Sequence, residues 1–140
     1  MMLVHFPTAL LPMSAGFDIA RIFFRDENLT LFSFYCGTAG TAIGFLALLF
    51  GTGDLLRIET EIRAFTKALL HGGLNLTWLI IFSVIIGIDL KTYPHLNLPS
   101  TGEVLIKLCV VAGMLYSNFL GGELVLKHDI GKPSALKQDK

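Results

Sequence analysis

The sequence predicts an all-α fold: a polytopic membrane protein built as an up-down-up-down bundle of four transmembrane helices, with both chain ends on one side. Three observations predict it. Only 16% of the 140 residues are charged and 53% are hydrophobic, whereas a soluble domain carries about 25% charged residues; mean hydropathy is +0.65. The charges gather at 21–27, 54–67, 89–107 and 123–140. Between them lie four apolar stretches, roughly 3–24, 31–53, 66–90 and 101–126. Each has about 22 residues, about 33 Å as a helix, enough for a hydrocarbon core of about 30 Å. Residues 1–140 therefore read as a single four-helix domain.

Helix is the form expected in lipid, where each backbone polar group must find its partner within the segment. None of the stretches shows the alternation of a membrane β-barrel. The first stretch is apolar without a leading basic region, so it reads as a retained helix and not a signal peptide. Pro7 suits a first helical turn. Arg25-Asp26-Glu27-Asn28 joins the first two helices, with Asn28 or Thr30 as N-cap. Leu55, Ile58, Ile62 and Phe65 recur at spacings of three and four, while Arg57, Glu59, Glu61 and Arg63 fill the other faces. That pattern fits a short interfacial helix over 54–65. Pro94 and Pro99 break the chain before the fourth helix, which Ser100 or Thr101 can cap.

Short connections make neighbouring helices antiparallel. Arg57, Arg63, Lys67, Lys127, Lys132, Lys137 and Lys140 fall on one side; Arg21, Arg25, Lys91 and Lys107 fall on the other. The excess places both termini in the cytoplasm of a bacterial inner membrane. A net charge of zero gives no reason to expect nucleic acid. Cys36 and Cys109 lack the C-x-x-C spacing of a redox pair and read as buried free thiols. Gly40-x-x-x-Gly44 and Gly37-x-x-x-Thr41 let helix backbones approach, or leave room for a flat cofactor; Gly72-Gly73 and Gly121-Gly122 carry the same two readings.

The topology collects His5, Asp54, His71 and His128 near one membrane face, while His95 falls on the other, in a loop. His71 lies about one turn inside the third helix, and an ionisable side chain there is a candidate functional residue. Asn75, Trp78 and Phe82 share its face, and structural hydrogen bonding between helices is the competing reading. Neutral imidazole ligates haem iron and transition metals. Two histidines at similar depth suit haem b, with Arg57, Arg63, Lys67 and Lys127 near its propionates. His5, His71, His128 and Asp54 equally suit a tetrahedral metal ion. Glu123 is placed to orient a ring. Asp18, with Arg21 at i+3 and Arg25 at i+7, reads as a structural ion pair.

His5-Phe6-Pro7-x-Ala9-Leu10, Thr52-Gly53-Asp54, His71-x-x-x-Asn75 and Gly121-Gly122-x-Leu124-Val125-x-x-His128 resemble, in order and spacing, an uncharacterised bacterial family of small four-helix membrane proteins. The resemblance runs from His5 to about Gly131. Some relatives carry a Rieske iron–sulfur domain, so the resemblance implies a redox association and makes His5, His71 and His128 the motif histidines. The expected function is electron transfer on haem b, with quinone or a redox protein as partner. A transition-metal protein using the same histidines is the alternative, as is a non-redox structural subunit. An electron carrier or subunit, alone or as a homo-oligomer in the bilayer, is expected before a stand-alone enzyme.

Overall fold

The computed structural model describes the backbone of residues 3–55 and 62–128, and side chains at 3–53 and 65–123. Four helices account for nearly all of it: α1 (His5–Phe24), α2 (Glu27–Leu55), α3 (Ile62–Asp89) and α4 (Thr101–His128). Three segments are long and apolar enough to cross a membrane: Glu27–Gly53, Phe65–Asp89 and Thr101–Glu123. α1 has 20 residues, and its lower apolarity traces to Asp18 and Arg21 in its second half. The proposed interfacial helix falls largely on residues outside the described set; α2 continues to Leu55 and α3 starts at Ile62.

Local chemistry sets the helix ends. Arg25 closes α1 in the left-handed region, φ 55°, its N–H donating to the Arg21 carbonyl at 3.0 Å. The turn is so short that α2 is capped by Asp26, whose Oδ1 accepts from the Asn28 N–H at 3.0 Å. Neither Asn28 nor Thr30 takes that role. Ser100 caps α4 as expected, its Oγ accepting from the Glu103 N–H at 3.1 Å.

α1 packs on α2 and α4, and α3 packs on α2 and α4; among the described residues the backbones of the diagonal pairs do not approach closely. Contacts run in opposite directions along every neighbouring pair. Leu11 meets Gly40 and Ser14 meets Gly37; Leu79 meets Gly44 and Ile86 meets Gly37. Trp78 meets Gly113 and His71 meets Gly121. These glycines are sockets for side chains of the neighbouring helix. A Cβ on Gly40 would stand 2.8 Å from Leu11 Cδ2, and one on Gly121 would stand 2.8 Å from His71 Cε1. The α2 glycines thus serve close packing, and the space between helices that a flat group would need is filled.

Leu11, Leu79, Phe82, Val110 and Met114 form the buried apolar layer, with Phe45, Leu48, Trp78 and Ile81 around it. The outer surface is apolar as well: Phe23 and Phe24 are each 76% exposed and Phe119 70%. Ser14, Asp18, Ser33, Thr41, Lys107 and Ser117 are buried instead. An apolar exterior around a partly polar interior is what a lipid solvent selects. Both cysteines are free, but Cys109 is exposed on the outer face of α4 and Cys36 is half-buried.

Candidate functional site

Two polar clusters sit on opposite sides of the apolar layer. The first lies between α3 and α4 and centres on His71. Its Nδ1 is 2.7 Å from the Ser117 carbonyl oxygen. A carbonyl only accepts, so Nδ1 carries a proton; in the neutral ring Nε2 then keeps the lone pair. The Ser117 hydroxyl lies 3.1 Å from Nδ1 and 3.3 Å from the His71 carbonyl, to which it donates. Asn75 Nδ2 is 3.4 Å from Nδ1 and 3.2 Å from Nε2. Near-equal distances to both ring nitrogens put the amide over the ring face. A donor aimed in plane at Nε2 would be far closer to it than to Nδ1. The Cβ position of Gly121 is likewise nearly equidistant from both nitrogens, so α4 backbone covers a ring face too.

Around this cluster, Lys67 pairs with Glu123 at 3.0 Å. Asn118 Nδ2 donates to Thr8 Oγ1 at 3.4 Å, tying α4 to α1. Trp78 packs on Gly113, and its buried Nε1–H has no hydrogen-bond partner among the described residues. His5 is exposed at the first turn of α1, and no hydrogen bond joins it to His71. α1 and α3 lie diagonally across the bundle, without close backbone approach. The side chains of Asp54 and His128, and all of Arg57, lie outside the described residues. Among the described residues no three His, Cys, Asp or Glu side chains gather as a metal site would require. His95 is exposed in the loop, as expected.

The second cluster was not foreseen. Lys107 Nζ lies 2.5 Å from Asp18 Oδ2, 3.2 Å from Glu103 Oε1 and 3.3 Å from Ser33 Oγ. An ammonium has three N–H donors, and these three acceptors use them all. Ser33 in turn donates to the Ser14 carbonyl at 2.9 Å, and its Oγ is 3.0 Å from Ser14 Oγ. Asp89, at the end of α3, feels the charges of Glu103, Lys107 and Asp18. Side chains of α1, α2 and α4 therefore converge on the Lys107 ammonium. The expected Asp18–Arg21 pair is replaced by Asp18–Lys107, and the Arg21 Nε is buried without a partner among the described residues. Three and seven residues of spacing pointed to partners on Asp18's own helix. The true partner is 89 residues away, and the signal for it was the placement of Lys107 in an otherwise apolar stretch.

An apolar-surfaced helical bundle with buried charge and hydrogen-bond networks defines an integral membrane protein. Residues 1–133 match the family described as predicted membrane protein DUF2231, a domain of unknown function. The chain belongs to that family. No curated protein and no solved structure matches it.

Proposed function

We propose that the chain crosses the membrane four times, up-down-up-down, and carries electrons on a b-type haem for which His71 supplies an axial imidazole. The tautomer of His71 carries this reading. With Nδ1–H held by a backbone carbonyl and Nε2 left with an in-plane lone pair, the ring has the form of a ligating histidine. His5 and His128, on the same membrane face in this topology, are the candidates for the second axial position. The haem would supply one-electron chemistry; His71 would set its position and bias its potential through the Ser117 carbonyl.

The fit has one condition. The sockets at Gly37, Gly40, Gly44, Gly113 and Gly121 are filled, whereas Cβ atoms on Gly72 and Gly73 would meet nothing within 4 Å. Space for a flat group is therefore beside His71 along α3, where a second copy of the chain or a quinone could also approach. α1 counts as a span because Asp18, 1% exposed, is neutralised by Lys107 inside a membrane-long helix. The lysine and arginine bias supports an orientation with both ends in the cytoplasm.

The interlocked glycine sockets favour a second reading, a structural subunit without a cofactor. A transition-metal ion on His5, His71, His128 and Asp54 is the third. The visible spectrum of protein purified in detergent from haem-replete cells separates them. A Soret band with sharp α and β bands on reduction, lost in His71→Ala, supports the haem. Colourless protein with stoichiometric zinc or copper supports the metal ion, and colourless metal-free protein supports the subunit.

A further inference from the structure

We infer that Arg21 holds the phosphate of a lipid headgroup at the mouth of the groove between α1 and α2, in the leaflet on the loop side of the bundle. This goes beyond the haem reading and does not depend on it. Arg21 stands in the last turn of α1. Leu10, Ser14, Phe17 and Arg21 recur at spacings of four, three and four, so they share one side of that helix. That side faces α2: Leu10 meets Gly40, Ser14 meets Gly37, and the Phe17 ring lies 5.7 Å from the Phe32 ring.

Among the described residues the Arg21 guanidinium makes no hydrogen bond or ion pair. Those residues include both connections at this end of the bundle, 25–26 and 90–100. Asp18, one turn back, is held by Lys107. Asp26 caps α2, and Glu27, in the first turn of α2, does not pair with Arg21. A basic side chain near a helix C-terminus often bonds the last carbonyls; this one does not. Nε is buried, yet the residue as a whole is only half-buried, so the Nη end of the fork is the part that reaches the surface.

The surface around that end faces lipid. Phe24, three residues on, is 76% exposed, and Phe32 is 50% exposed. The last turn of α1 is also where the apolar stretch 3–24 gives way to Arg25-Asp26-Glu27, the depth at which headgroups begin. The anion common to phospholipids at that depth is the phosphate. Two Nη groups in one plane match two phosphate oxygens as a bidentate pair, which an ammonium does not. The stem of an arginine lies along apolar surface while its head reaches the interface. An acyl chain below the phosphate then lies over the Phe17 and Phe32 rings, along the groove.

The test is a titration of the full chain, in uncharged detergent micelles, with phosphatidylglycerol, read by native mass spectrometry. The wild-type protein retains the lipid. Arg21→Gln weakens binding about tenfold or more, the equivalent of lost hydrogen bonds to a charged group. Arg21→Lys keeps the charge without the fork and weakens it less. Lys91→Gln, on the same membrane side but beyond the end of α3, leaves it unchanged. Equal losses in Arg21→Gln and Lys91→Gln, or no loss in Arg21→Gln, overturn the proposal. So does soluble glycerol phosphate that competes as well as the lipid, since the site would then take free phosphate. If Arg21→Gln fails to fold, the wild-type protein decides. Phosphatidylglycerol with a photoreactive group in its acyl chain labels the peptides that hold Phe17 or Phe32. Labelling confined to α3 and α4, or spread evenly over all four helices, overturns the proposal.

Discussion

Lys107 and Asp18, 89 residues apart in sequence, form an ion pair at 2.5 Å with side chains 3% and 1% exposed. Removing one partner leaves a desolvated charge, whereas replacing both leaves none. Asp18→Asn and Lys107→Met should each destabilise the bundle by about 3–5 kcal/mol. The double variant Asp18→Leu/Lys107→Met should recover a large part of that loss. Denaturant unfolding in mixed micelles, analysed as a double-mutant cycle, checks this; additive losses would mean that the two groups act separately.

The helices, their order and the capping role of Ser100 were legible in the sequence because they depend on local composition: apolar runs, prolines and a serine at the right offset. The Lys107 network was not, because it depends on which helix faces turn toward each other. Periodicity placed His71, Asn75 and Trp78 on one face but could not show what lay opposite. That face meets Ser117, Gly121 and Gly113 of α4. The α2 glycines were recognised as small-residue spacings; that Ser14, Leu11 and Leu79 fill them is a matter of register, which no single segment encodes.

The filled and open glycines should respond oppositely to the same substitution. Gly121→Ala presses a methyl on the His71 ring, and Gly44→Ala meets Leu79 Cδ2 at 2.5 Å. Each should cost about 1–3 kcal/mol by overpacking. Gly73→Ala meets nothing within 4 Å in a helix interior and should stabilise by about 0.4–1 kcal/mol. Unfolding midpoints of the three variants, measured side by side, check the contrast; a destabilised Gly73→Ala would mean that its open face is occupied in the assembled protein.

The α1–α2 turn offers an independent test. Arg25 occupies the left-handed region at φ 55°, where an L side chain costs about 1–2 kcal/mol and glycine pays no such penalty. Arg25→Gly should raise stability by about 0.5–1 kcal/mol, part of the relief being offset by the freer unfolded chain. Asp26→Ala should lower it by about 0.5–2 kcal/mol, because Asp26 caps α2. If both changes are silent, the turn contributes nothing measurable to holding α1 against α2.

The last prediction concerns the proton on His71. A carbonyl acceptor at 2.7 Å from Nδ1 requires the Nδ1–H form, so the imidazole nitrogen shifts of ring-labelled protein should show a protonated Nδ1 and a lone pair on Nε2. Ser117→Ala removes the hydroxyl but keeps the carbonyl, so it should leave that tautomer in place. Its stability cost should be about 0.5–1.5 kcal/mol for the lost bond to the His71 carbonyl. Ligation and structural support part company on Nε2. If His71 holds haem, the Nε2 signal of cofactor-loaded protein shifts or broadens while Nδ1–H persists. A Nε2–H tautomer in the purified protein would leave no lone pair to offer, and His71 would then be a hydrogen-bonded strut between α3 and α4.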